Sequence, residues 1–273
     1  MIEDLGVIDT RKIISVVQEL YKIDFSNDAL TALRYRFVYA INAMQVKNAD
    51  ELCLKLKSKD FFETFLEKIT VDSTEFFRDP SFWRELRKLI FSKIEQKGKF
   101  SIWFPDCTSG EELISLAIFL KEDGLLNKVS IIASQQSSKK NDYIREGIYT
   151  LGREDVNSAN YKRANGANAF TDYTQVNGKK FQIDKDLISR VDFKAFNSLT
   201  ESKLNDIDLI MYRNSLIYYN KSAQNDIIEY LYTVLSPNGY LAIGIKESLN
   251  ILSPEMKFRE LHKGECIYQK IAH

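Results

Sequence analysis

The sequence predicts an α/β protein in which an all-helical N-terminal region precedes a mostly parallel sheet. Apolar residues recur at helical spacing from Ile13 to Ile94, whereas from Phe100 onward they alternate as in a strand. Short β-branched runs then alternate with helical stretches, which is typical of a parallel sheet with helices on both faces. We therefore expect a helical domain over residues 1–96 and a sheet domain over residues 97–273.

The strands of the sheet domain are predicted from local pattern. Apolar or alternating runs bounded by turn residues occur at 100–104, 129–133, 207–211 and 240–245. Pro237-Asn238-Gly239 is predicted to be a turn before the last of these runs. Residues 257–261 and 266–271, joined across Lys263-Gly264, favour a closing hairpin.

One stretch breaks the alternation of strands and helices. Residues 149–192 are polar, rich in Asn, Gly and Thr, and too long for an ordinary connection between a helix and a strand. Asn177-Gly178 is typical of a hairpin turn. The sequence therefore predicts a small β-subdomain inserted over residues 150–192.

Composition excludes several classes of function. Lys plus Arg equals Asp plus Glu at 38 each, so there is no general attraction to nucleic acid or to an anionic membrane, although binding by a local basic patch stays open. No apolar run reaches the ~18 residues of a membrane span. The three cysteines form no Cys-x-x-Cys pair, which argues against a zinc site and for reduced thiols in the cytoplasm. The two histidines, His262 and His273, have no partner motif, so we expect neither a histidine catalyst nor a metal site.

Residues 102–115 form the most informative segment, because a predicted strand runs into a turn of small residues and then into a helix. Such a turn exposes backbone N–H groups and admits the close approach of a ligand, although an ordinary strand–turn–helix has the same pattern. Glu111 and Glu112 follow the turn and suit a ligand with a positive amino group or sulfonium better than a phosphate. The same two acids also favour the first turn of any helix.

Four motifs in register resemble those of the CheR family of chemotaxis receptor methyltransferases. Residues 108–112 followed by Ser115 are similar to the family's first motif for S-adenosylmethionine (SAM). Asp-Ser-Thr-Glu-Phe-Phe-Arg at 72–78 resembles the signature Asn-Glu-Thr-x-Phe-Phe-Arg. Arg-Asn-Ser-Leu-Ile-Tyr-Tyr at 213–219 resembles Arg-Asn-Val-Leu-Ile-Tyr-Phe, and residues 237–248 are similar to the closing Pro-Gly-Gly-x-Leu strand.

The resemblance implies a class I SAM-dependent methyltransferase (Rossmann-like) domain, an all-helical N-terminal domain and an inserted β-subdomain that touches the receptor. The implied cofactor is SAM, with S-adenosylhomocysteine (SAH) as product. The implied substrate is the cytoplasmic region of a methyl-accepting chemotaxis receptor, and we expect a cytoplasmic monomer. The resemblance identifies as catalytic residues Arg78, Arg213 and Tyr218. It identifies as cofactor-binding residues Thr74, Cys107, Thr108, Gly110, Glu111, Glu112, Gln135, Asn197, Ser198 and Arg213.

The implied roles within that set differ. Thr74 and Arg78 face the cofactor and the acceptor, and Glu112, with Glu111 beside it, holds the methionine amino group. Asn197 and Ser198 line the adenosine site, while Arg213 and Tyr218 reach the pocket beside the methyl group. Structural alternatives remain open: Arg78 pairs with Asp79 or Asp72, or Tyr218 belongs to the core.

The implied chemistry needs no general base, because a glutamate carboxylate is already an anion near neutral pH. Methyl transfer to it is an in-line displacement that depends mostly on proximity and orientation. A guanidinium suits the task of holding the acceptor carboxylate, with Arg78 as the first candidate and Arg213 as the second.

The chain departs from the family pattern at three places. Gln135 stands where the family has an acid for the ribose hydroxyls, Asp106 adds charge and bulk beside the cofactor loop, and Asp72-Ser73 replaces Asn-Glu. Two main hypotheses follow: an active glutamate methyltransferase, or a catalytically degenerate member that acts as a receptor-binding or signalling module. A methyltransferase with another acceptor is the remaining alternative. Replacing Gln135 with Asp separates the two main hypotheses, because it should strengthen SAM binding if the pocket is intact.

Overall fold

The structure is a computed structural model that describes residues 3–25, 27–69, 75–135, 138–196, 202–249 and 258–271. The chain divides into two compact units. The first contains Met1–Asp72 and Ser215–Ile227, and the second contains Ser73–Asn214 and Ile228–His273. The domain boundary that the sequence predicts after residue 96 stays a prediction.

The first unit is helical, and its helices bury the apolar stripes that the sequence predicts. Ile13, Val17, Leu33, Phe37 and Ile41 have no or almost no exposed surface and belong to one core cluster. The helices are α1 (Val7–Tyr21), α2 (Leu30–Ala43), α3 (Ala49–Lys55) and α4 (Lys59–Ile69). No helix in the described ranges is both long and apolar enough to cross a membrane.

The second unit begins with the helical stretch that the sequence predicts between Pro80 and Gly98. It contains α5 (Pro80–Leu86), a π-helical turn (Arg87–Phe91) and α6 (Ser92–Lys97). Gly98 ends it with a φ of 73°, in the left-handed region that glycine adopts without a steric penalty.

The core of the second unit is a seven-stranded sheet in the order β6-β2-β1-β7-β8-β10-β9. All neighbouring pairs are parallel except the two pairs that include β10. Because β2 and β7 flank β1 on opposite sides, the strand order reverses there and creates a topological switch point. The strands are β1 (Phe100–Phe104), β2 (Val129–Gln135), β6 (Asp192–Ala195), β7 (Ile207–Tyr212), β8 (Leu235–Ile243), β9 (Phe258–His262) and β10 (Ile267–Lys270).

Helices connect these strands as an α/β fold requires. They are α7 (Glu111–Glu122), α8 (Ser138–Glu146) and α10 (Lys221–Val234), whereas α9 (Glu154–Arg163) lies within the inserted segment. The predicted α/β class is confirmed, since a mostly parallel sheet carries the fold. The predicted closing hairpin is also confirmed, because β9 and β10 pair antiparallel across Lys263-Gly264.

The turn predicted at Pro237-Asn238-Gly239 instead lies inside β8. Ile207 pairs with Leu235, and Leu209 pairs with Tyr240. Between these two pairs, β8 therefore contains more residues than β7. Pro237 has no N–H for the ladder, and Asn238 has a φ of 63°, so the strand bulges here rather than ending.

The inserted segment forms a separate three-stranded antiparallel sheet in the order β3-β5-β4. Its strands are β3 (Ile148–Thr150), β4 (Thr174–Asn177) and β5 (Lys180–Ile183). β4 and β5 form the hairpin that Asn177-Gly178 predicts, with Gly178 at a φ of 62°. The segment also contains α9, which the sequence analysis did not predict.

Candidate functional site

The candidate site lies at the carboxyl ends of β1, β2 and β7, where a sheet of this topology binds its ligands. The loop of residues 105–110 follows β1, Gln135 ends β2, and Arg213 follows β7 directly. The parallel pairing of β1 with both neighbours brings these three chain segments to one edge of the sheet.

The loop of residues 105–110, here called the cofactor loop, is held in a tight conformation. The Cys107 N–H donates to the Ser134 carbonyl at 3.1 Å, and the Gly110 N–H donates to the Cys107 carbonyl at 3.0 Å. Gly110 has a φ of 92°, and a Cβ built there would lie 2.8 Å from Ile144 and 3.1 Å from the Tyr149 hydroxyl. Both the backbone angle and the space therefore require glycine at this position.

Carboxylates surround this loop. Glu111 and Glu112 occupy the first turn of α7, and the Ser109 hydroxyl donates to Glu111 at 2.6 Å. Burial, reinforced by Asp106, Glu112 and Glu111, raises the pKa of the Cys107 thiol well above its usual value. Cys107 is therefore a neutral thiol near pH 7, and the charge of the loop is negative.

Arg213 lies at the centre of the charged part of the site. Its side chain is completely buried and donates to Glu112 from Nη1 and to Asp79 from Nη2, the latter at 2.7 Å. The guanidinium carbon lies 3.7 Å from the centroid of the Phe82 ring. Nε has no hydrogen-bond partner among the described residues. We call the group of Arg213, Asp79, Glu112 and Phe82 the Arg213 cluster.

The segment that carries Arg78 is fastened to α7. The Phe77 N–H donates to the Ser115 hydroxyl at 2.9 Å, and that hydroxyl donates to the Glu111 carbonyl at 2.6 Å. The Trp83 indole N–H donates to the Arg78 carbonyl at 2.9 Å. Phe77 has a left-handed φ of 56°, a conformation that a bulky residue adopts only where its surroundings enforce it. The backbone of Arg78 is thus fixed, and its side chain is partly exposed.

The end of β2 is neutral by contrast. Gln135 is only 5% exposed, and its amide N–H donates to Asn141 Oδ1 at 2.9 Å. In the opposite amide orientation, Gln135 donates to the Thr108 carbonyl at 3.0 Å and accepts from the Asn141 N–H at 3.1 Å. Asn141 in turn donates to the Lys194 carbonyl at 2.9 Å. Two buried amides therefore stand where the family pattern has a carboxylate.

The structure thus brings together Cys107, Thr108, Gly110, Glu111 and Glu112 around the cofactor loop, and it joins Arg213 to Glu112. Thr74, Asn197 and Ser198 lie outside the described residues, as do Asp72 and Ser73. The site roles predicted for all of these residues stay predictions.

Tyr218 belongs to the first unit. Its carbonyl accepts the Ala29 N–H at 2.8 Å, and Arg36 lies over its ring at 5.3 Å from the centroid. Its predicted role beside the methyl group also stays a prediction.

Sequence reasoning missed three residues around the site: Asp79, Phe82 and Tyr149. The pair Asp79-Pro80 is typical of the start of a helix, and Asp79 does stand at the N-cap of α5 without a side-chain capping bond. Phe82 follows Asp79 by three residues, which places both on one side of the first helical turn. The Tyr149 hydroxyl donates to the Ser109 carbonyl at 2.8 Å, and local pattern does not predict a contact between residues 40 positions apart.

Comparison with known proteins agrees with this geometry. The family described as CheR methyltransferase, SAM binding domain, matches residues 72–264. The protein Cher3 of Pseudomonas putida is 27% identical over 264 residues, which cover 96% of this chain and 97% of that protein. The chemotaxis protein methyltransferase of Borreliella burgdorferi is 31% identical over 198 residues, or 67% of each protein.

Among solved structures, the N-methyltransferase NodS of Bradyrhizobium japonicum, in complex with SAH, aligns with a TM-score of 0.39 and 11% identity. That alignment covers 85% of this chain and 98% of NodS. Since the family match extends over well more than half of the sequence and includes the cofactor loop and Arg213, this chain belongs to the CheR family of SAM-dependent methyltransferases.

Proposed function

We propose that this protein transfers the methyl group of SAM to glutamate carboxylates in the cytoplasmic region of a chemotaxis receptor, acting as a cytoplasmic monomer. The Arg213 cluster carries the proposal. A completely buried guanidinium fixes two carboxylates next to the cofactor loop, at the switch point of the sheet. Chemotaxis protein methyltransferases among the relatives support the same acceptor.

The residues present fit SAM by the chemistry of their charges. Asp106, Glu111 and Glu112 all act on Cys107, so three carboxylates gather at the cofactor loop. Such a surrounding favours a ligand with a positive sulfonium and a positive amino group. Glu111 and Glu112 would hold the amino group, and the amides of Gln135 and Asn141 would meet the hydroxyls of the ribose. The family motifs imply Thr74, Asn197 and Ser198 as further cofactor-binding residues.

When bound, SAM supplies an electrophilic methyl group whose bond to sulfur breaks, with both electrons going to sulfur, as the bond to oxygen forms. The protein has no proton to move, because the acceptor carboxylate is already ionised near neutral pH. Its task is to orient that carboxylate and to exclude water.

The two arginines differ in their suitability for orienting the acceptor. Arg213 is completely buried and already binds two carboxylates, whereas Arg78 is partly exposed on a fixed backbone. This difference favours Arg78 as the group that orients the receptor glutamate, with Arg213 organising the pocket.

The test begins with calorimetric titration of SAM and SAH into the purified protein. Methyl transfer from SAM with a labelled methyl group to receptor-containing membranes then follows, and a glutamate ester releases methanol under mild alkali. We expect micromolar binding and base-labile label. Arg78→Gln should lower kcat/KM about 100-fold by misorienting the acceptor. Arg145→Gln, at a half-exposed arginine paired with Asp142, is the matched control and should leave activity unchanged.

A second candidate function is a receptor-binding or signalling module without transferase activity. The observation that favours it concerns Gln135, which stands where the family pattern has an acid. The polar atoms of its side chain form hydrogen bonds with Asn141 and Thr108. A folded protein that binds neither SAM nor SAH at millimolar concentration would select this function over the first.

A further inference from the structure

We propose that Asp79 is a positioning residue of the cofactor site, which acts through Arg213 to keep the Arg213 cluster negatively charged and Glu112 in place. The inference rests on the proposed function, because it assigns Asp79 a part in binding SAM. Asp79 lies outside the residues that the family motifs single out and 134 positions before Arg213 in the chain.

The geometry gives Asp79 a fixed position. It is the residue before α5, with a left-handed φ of 55°, and Pro80 restricts the backbone that follows it. Its carbonyl accepts the Phe82 N–H at 2.9 Å, so the residue closes the first turn of the helix. The same turn therefore presents the Asp79 carboxylate to Nη2 of Arg213 and the Phe82 ring to the face of its guanidinium.

The charges of the cluster do not cancel. One guanidinium and two carboxylates carry a formal charge of −1. The side chain of Arg213 has no exposed surface, whereas those of Asp79 and Glu112 are each 23% exposed. The cluster therefore presents carboxylate, not guanidinium, to its accessible side. A positively charged ligand is attracted to such a surface, and a neutral ligand is not.

Removing the charge of Asp79 changes that balance. Arg213 then neutralises Glu112, and the formal charge of the cluster rises to zero. SAM carries the sulfonium charge in addition to the amino group, whereas SAH carries only the amino group. Loss of one nearby negative charge should therefore weaken SAM more than SAH. A merely structural defect would weaken both ligands by the same factor.

The experiment is a calorimetric titration of SAM and SAH into wild-type protein and Asp79→Asn. Asparagine tolerates a left-handed backbone and keeps the shape of the side chain, so only the charge is lost. We expect the Kd for SAM to rise about 5- to 30-fold and the Kd for SAH to rise by a smaller factor. Asp123→Asn, at an exposed ion pair with Arg87, is the control and should change neither constant.

Asp79→Glu supplies a second variant in case Asp79→Asn does not fold. It moves the carboxylate but keeps its charge, so the ratio of the two dissociation constants should stay near the wild-type ratio. Equal weakening of both ligands by Asp79→Asn, or no weakening, would overturn the role of Asp79 while leaving the proposed function intact. Absence of binding to wild-type protein would instead overturn the proposed function itself, and the role of Asp79 with it.

Discussion

The candidate site has two halves, one after β7 and the other at the end of β2, and they differ in how their buried polar groups are paired. Beyond β7, Arg213 is buried with full charge and held by the carboxylates of Asp79 and Glu112. At the end of β2, Gln135 is buried without charge and held by a second amide. The charged half leaves Arg213 Nε without a partner among the described residues. Of the two halves, only the charged one provides an electric field that distinguishes a cationic ligand from a neutral one.

This difference indicates which half of the site determines ligand specificity and which half tolerates substitution. A buried ion pair is costly to break because the partner left behind remains charged, whereas a buried amide pair loses about one hydrogen bond. We therefore expect substitutions in the Arg213 cluster to damage both stability and cofactor binding. Substitutions at Gln135 should mainly change affinity.

The largest effect should come from Arg213→Ala. It leaves Asp79 and Glu112 facing each other without the guanidinium, so the free energy of unfolding should fall by about 3–5 kcal/mol. Chemical denaturation followed by far-UV circular dichroism measures this. Lys88→Ala, which removes an exposed pair with Glu85, is the control and should cost less than about 1 kcal/mol. If the two variants lost similar amounts of unfolding free energy, the ion pairs of Arg213 would contribute no more to stability than an exposed ion pair does.

The next prediction concerns the tight fit of the cofactor loop, which joins the two halves of the site. Gly110→Ala places a methyl group 2.8 Å from Ile144 at a φ of 92°, so strain and overpacking should cost about 2–3 kcal/mol. Gly124→Ala is a matched control, since that glycine also has a positive φ but no atom within 4 Å of a built Cβ. It should cost only about 1 kcal/mol. Equal melting temperatures of the two variants would contradict the tight fit of the loop.

The neutral half is tested by two acidic replacements of Gln135. Gln135→Asp restores the acid of the family pattern and should strengthen SAM binding by about 1–2 kcal/mol, or roughly 5- to 30-fold. Gln135→Glu keeps the length of the native side chain and brings a carboxylate to the Thr108 carbonyl, so it should bind SAM more weakly than Gln135→Asp. Calorimetry on both variants decides this. The reverse order would show that the amide contacts do not constrain the residue.

The last prediction is a pH dependence of stability. Burial raises the pKa of Cys107 in the folded protein, so the native state holds this proton more tightly than the unfolded chain does. The contribution of this proton to stability is therefore complete below the unfolded thiol pKa of about 8.5 and is lost as the pH rises toward the pKa of the folded state. Cys107→Ser should flatten this alkaline loss by up to about 1.4 kcal/mol per pH unit. Unfolding curves at pH 8 and 10 measure it, and identical slopes in both proteins would contradict it.

Local pattern in the sequence was sufficient for much of the fold. Helical and strand periodicity predicted the helical start, the closing hairpin and the other strands of the large sheet except β6, because burial of one face gives consecutive residues a regular apolar period. It failed at α9, whose residues are largely polar. That helix is stabilised by tertiary packing, with the Tyr161 ring 5.0 Å from Phe77. It also failed at Pro237-Asn238-Gly239, which the pairing with β7 retains within a strand.

Local sequence pattern is sufficient to predict the residue types of the candidate site: a glycine turn, two acids after it and an arginine after a buried strand. Which of these residues bind one another depends on the three-dimensional arrangement of the strands. Strand order, which no local period encodes, brings Arg213 to Glu112 across 101 residues and to Asp79 across 134. The charge presented by a site depends on such pairings, because an arginine that is buried between two carboxylates presents negative charge, and an arginine on its own presents the opposite.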